Sequence, residues 1–137
     1  MSLNISLIEY KTCKDGKLYE EGSEVIESAF LSPDLLEIIK DQFPLCKKEI
    51  FEEEGSPETS TIDIFSDNSI HEIKELLEIE FVRMIEASQS QKLTSVIIPN
   101  SIFEAIEKFR TLTNVYHIFW LKYENFSKRS NAIIKIG

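Results

Sequence analysis

Two histidines, two cysteines and 24 carboxylates are the side chains of this 137-residue sequence with enough chemical range to build a reactive site. His71, His117 and a glutamate would suit zinc if folding brought them together, but HExxH is absent and the two histidines fall on different predicted elements. His71, at a helix start, is expected to face water; His117, between Tyr116 and Ile118, is expected to pack in a sheet. Cys13 and Cys46 form no CxxC pair, which fits free thiols in a reducing cytoplasm. GxGxxG, GxxxxGK[ST] and the DxDxDG order of a calcium loop are all missing, and Gly16, Gly22, Gly55 and Gly137 are scattered. These absences lead to an expectation of no catalytic residues, no metal and no cofactor in a non-enzymatic protein.

The acids are unevenly spread. Residues 1–88 hold 21 Asp or Glu against 8 Lys or Arg, residues 89–137 hold 3 against 7, and the net charge is −9. Such asymmetry bears on partners and association rates rather than on fold. One cluster, Glu49, Glu52, Glu53, Glu54 and Glu58, surrounds the loop-forming Gly55-Ser56-Pro57. A long polyanion such as nucleic acid is opposed by the net charge, although Lys122, Lys128, Arg129 and Lys135 interleave with Tyr116, Phe119, Trp120, Tyr123 and Phe126.

The elements that must position these groups follow from periodicity. Alternation predicts a strand over 3–12, a tight turn at Asp15-Gly16 and a short return strand over 17–20. Val25, Ile26, Ala29 and Phe30 fit a helical turn within 21–31. Ser32-Pro33-Asp34 predicts a helix start, with the helix running to about Phe43 before Pro44. Strands are expected over 45–51 and 61–65 around an acidic loop over 52–60. Ser69 and Glu72 form a capping-box pattern, opening a helix to about Ala87. A β-like run over 93–98 precedes a helix from Asn100 or Ser101 with a stripe of Ile102, Ala105, Ile106, Phe109 and Leu112. Aromatic and β-branched residues over 114–123, with 132–136, predict a closing hairpin.

At about 100° per residue the long helix sorts into two sides. Ile70, Ile73, Leu77, Phe81, Met84 and Ile85 form a core-facing stripe, while Glu72, Glu75, Glu78, Ile79, Val82 and Glu86 lie opposite. Two β-branched apolar residues inside an acidic face suit a cationic partner with some apolar surface. A solvated side covered by a neighbouring loop would have the same pattern.

Together these elements predict one α+β domain over residues 1–137: a mainly antiparallel sheet built from hairpins, with about three helices packed on it. No segment is an export signal or a membrane span, so a cytoplasmic protein is expected. In size, acidity and lack of catalytic motifs the chain resembles small bacterial immunity proteins, which neutralise cognate toxins, many of them basic nucleases. The resemblance implies a basic protein partner, met through Glu72, Glu75, Ile79, Val82 and Glu86 together with Glu52, Glu53 and Glu54. A second reading uses the aromatic carboxyl-terminal hairpin as a ligand pocket or homodimer seam.

Overall fold

A computed structural model describes residues 3–92 and 99–137, with side chains placed outside 88–92 and 99–102. The chain runs β1 (Leu3–Thr12), β2 (Leu18–Leu31), α1 (Pro33–Lys40), β3 (Cys46–Phe51), β4 (Thr59–Ile64), a 3-10 turn (Asp67–Ser69), α2 (Ile70–Lys92), α3 (Pro99–Asn125) and β5 (Ala132–Ile136). The fold is mixed α+β, with three helices and five strands among the described residues. The β-like run read over 93–98 lies outside the described residues.

The five strands close into a barrel in the order β1-β2-β3-β4-β5. This corrects the expectation of antiparallel hairpins alone, because β2 and β3 are parallel where Tyr19 meets Phe51. The physical reason is α1, which carries the chain back between them so that β3 sets out in the direction of β2. Ser32 caps that helix as read, its Oγ accepting from the Leu35 amide at 3.3 Å with Pro33 beside it.

Residues 21–31 form most of β2 rather than a helical turn. The ladder pairs Leu7 with Glu27 and Ile8 with Val25, so Ile26 is an extra residue in a β-bulge. The bulge places apolar residues side by side and breaks the period-two signal, imitating helical spacing. A second irregularity between Glu9 and Lys11 accommodates Gly22, whose φ of 81° is in the left-handed region.

The closing hairpin is also corrected: residues 114–123 lie within α3, and β5 inserts between β1 and β4. The aromatic and β-branched composition over 114–123 suits a strand, but burial follows a helical rhythm. Leu112, Val115, Ile118, Phe119 and Lys122 turn inward. Ser66, one turn before the expected Ser69, accepts from the Asn68 amide at 3.3 Å at the head of the 3-10 turn.

Two apolar clusters use opposite faces of the sheet. Ile8, Tyr10, Leu18, Ile50, Ile62 and Ile133 draw on all five strands. Ile5, Leu7, Leu31, Ala132, Ile134 and Ile136 instead meet side chains of α1, α2 and α3, with Phe65 against Phe119 at 5.7 Å between ring centres. Strand β5 is thus covered on both sides, which explains its unbroken apolar run. Among the described residues no helix is long and apolar enough to cross a membrane.

Candidate functional site

Helix α2 packs along α3 with Ile70, Ile73 and Leu77 fully buried and Phe81 and Met84 partly so. Its opposite side places Glu72, Glu75, Ile79, Val82 and Glu86 at the surface. Ile79 is 51 % exposed and Val82 53 %, so among the described residues no loop covers them. The His71 Nε2 lies 2.8 Å from Glu75, and the imidazole stacks on Tyr123 at 4.8 Å between ring centres.

Glu78, though exposed, reaches across the helix pair. Its carboxylate accepts from Lys74 at 2.7 Å and from the Tyr116 hydroxyl of α3 at 2.9 Å. These two bonds, that of Lys74 being the stronger influence, hold the Glu78 carboxyl below its ordinary range. The Lys74 ammonium is correspondingly raised by Glu78. Glu78 therefore joins two helices, whereas Glu72 and Glu75 face outward.

Ile85 departs from the expected core stripe, and so do Ile106 and Phe109 of α3; all three are exposed, as is Phe103. Phe109 meets Phe81 of α2 at 5.4 Å between ring centres yet stays exposed, and Ile85, Phe103 and Ile106 lie toward the α2–α3 connection. Sequence periodicity assigns such residues to a core because an amphipathic stripe looks the same over a sheet or over solvent.

Glu52, Glu53 and Glu54 sit at the β3–β4 tip, all exposed. The Glu52 amide donates to the Glu58 carbonyl at 3.1 Å, and the Glu58 amide to Ser56 Oγ at 3.2 Å. A hydrogen bond with the Glu58 carboxyl, together with that group's charge, holds the Glu52 carboxyl above its ordinary range. This tip adjoins the β1–β2 turn across an open groove of about 430 Å³, lined by Asp15, Lys17, Tyr19, Phe51 and Glu54. The outer half of α2 lies elsewhere: Glu80 and Met84 share a groove with Ser32, Leu35 and Ile38 of the α1 region. Glu80 and Met84 of α2 thus lie beside α1, which follows Leu31, whereas Glu54 lies beside the β1–β2 turn, which follows Thr12.

The remaining candidates have structural employment. His117 is exposed on α3 and stacks on Trp120 at 5.9 Å, rather than packing in a sheet. Partial burial and the Glu54 carboxylate push the Cys13 thiol up, against the needs of a nucleophile. Lys122, only 2 % exposed, donates to the carbonyls of Arg129 at 2.8 Å and Phe126 at 3.2 Å, with Asp67 at 3.6 Å. Burial pulls its ammonium below the ordinary lysine range, and Asp67 opposes that. Sequence reading grouped this lysine with the carboxyl-terminal bases and missed its burial, signalled by its place in the inward rhythm of α3. Among the described residues, no three His, Cys, Asp or Glu side chains converge as metal ligands. No family model, curated protein or solved structure matches the chain.

Proposed function

We propose that this chain is a non-enzymatic binding domain that occludes a basic protein, as an immunity protein covers a toxin or nuclease, and that it docks through the outward side of α2. The observation that carries this reading is the exposure of Ile79 and Val82 between Glu72, Glu75 and Glu86. Apolar area supplies the contact, and the carboxylates steer and pair with Lys and Arg that would otherwise grip nucleic acid. Exposed Ile85 continues the apolar character toward the carboxyl-terminal part of α2. Glu52, Glu53 and Glu54, exposed on the β3–β4 tip, add to the negative charge that steers a basic partner, an effect that rising salt screens. The proposal places the protein in the cytoplasm, where its two free cysteines stay reduced.

The test is a tagged pull-down from native lysate at low and high salt, with bound proteins identified by mass spectrometry and the products of neighbouring reading frames included. The expected result is a stoichiometric basic protein, captured at low salt and weakened at high salt. Glu75→Lys with Glu86→Lys should slow its association and flatten the salt dependence. Unchanged kinetics in that variant, or capture of no basic partner, would overturn the reading.

A further inference from the structure

Strand β2 outruns the strand that closes the barrel against it. On one edge it pairs with β1 from Leu18 to Leu31. On the other edge it meets β3 at Tyr19, with the Glu21 amide bonded to the Glu52 carbonyl at 2.9 Å. Over residues 22–30 that second edge has no strand beside it among the described residues. Backbone groups along a free edge are a template for strand addition.

The side chains along this edge sort by face. Val25 pairs across β1 with Ile8, and Phe30 with Asn4, so both lie on one face of the sheet; Ser28, bonded to Ser6 Oγ at 2.9 Å, lies between them on that face. Val25 is 59 % exposed and Phe30 48 %. Glu24 and Glu27 pair with Glu9 and Leu7 on the other face and are exposed. Glu9 is answered by Arg129 at 2.8 Å, whereas among the described residues no base pairs with Glu24 or Glu27.

We infer that the free edge of β2 over residues 22–30 is a strand-addition site for an extended cationic segment of a partner protein, one that alternates Lys or Arg with β-branched or aromatic residues. The alternation follows from the edge, since period two sends bases to the Glu24 and Glu27 face and apolar side chains to the Val25 and Phe30 face. A second copy of this chain is a poor occupant: the antiparallel register that sets Val25 against Ile26 also sets Glu24 against Glu27. This surface is separate from the outward side of α2 and stands or falls independently of it.

The probe is a synthetic decapeptide alternating lysine with valine and threonine, compared with the same peptide N-methylated at every second amide. Binding is followed by titration, and its location by amide hydrogen exchange. The expected result is protection within 22–30, binding weakened about tenfold or more by N-methylation, and binding weakened roughly tenfold by Glu24→Lys with Glu27→Lys. Equal binding of the N-methylated peptide, protection confined to α2, no binding at millimolar peptide, or a dimer held through β2 in sedimentation would each overturn the inference.

Discussion

The Tyr116 hydroxyl on α3 and the Lys74 ammonium on α2 both bond to the same oxygen of Glu78, at 2.9 and 2.7 Å. One carboxylate thereby ties α2 to α3. Because its folded pKa is depressed, the stabilisation is fully present above the unfolded value near 4.5 and is lost as pH falls through the lowered folded value. Chemical unfolding at pH 7 and pH 3 should show wild-type stability falling with acid and Glu78→Gln falling less. Parallel losses in the two proteins would dissociate this carboxylate from the acid response.

Lys122 stitches the end of α3 to the turn that feeds β5, through the carbonyls of Phe126 and Arg129. Lys122→Met keeps the aliphatic stem but leaves those carbonyls without their donor, so a loss of about 1–3 kcal/mol is expected in urea denaturation. No change would mean that water replaces the ammonium.

Tyr19 donates to Asp15 at 2.7 Å, and that bond pushes the phenol up to about 12. With a raised folded value, the bond's stabilising effect is intact below the unfolded phenol value near 10 and disappears as pH rises through 12. Ultraviolet difference titration should resolve a late-ionising tyrosine, and Asp15→Asn should bring it down. A titration unaltered by that substitution would refute the assignment.

Ile79 and Val82 separate binding from folding. Replacing both with serine should leave stability within about 0.5 kcal/mol of wild type, because neither supports the core. The same variant should bind the captured basic partner measurably more weakly by calorimetry. A large fall in melting temperature would instead mark the two as structural.

Much of the order of elements was legible because its signals are local. Ser32-Pro33 announces α1, alternation announces β1, and the inner stripe of α2 from Ile70 to Leu77 is the buried one. What misled was local evidence with two readings. Val25 and Ile26 are neighbours because of a bulge, yet neighbours of that kind also suit a helix. Tyr116, Phe119 and Trp120 have strand-like composition, but tertiary packing of Val115, Phe119 and Lys122 selects a helix. The exposure of Ile85 and Phe109 depends on what packs over those turns, and no spacing within a helix encodes that. Of the candidate site, the outward acidic and apolar side of α2 could be read from angles alone. That Glu54 borders a groove with Asp15 and Tyr19 could not, because it is set by which strand ends lie together.

The parallel contact between Tyr19 and Phe51 is a clasp on the barrel. The other strand neighbours share ladders of two or more residue pairs, while this joint has one pair and the adjoining bond from the Glu21 amide to the Glu52 carbonyl. Local opening at this seam would give water a line of entry to Tyr10, Leu18, Ile50 and Ile62, the side chains that the strands bury among themselves, so amide exchange of that cluster is expected to begin there.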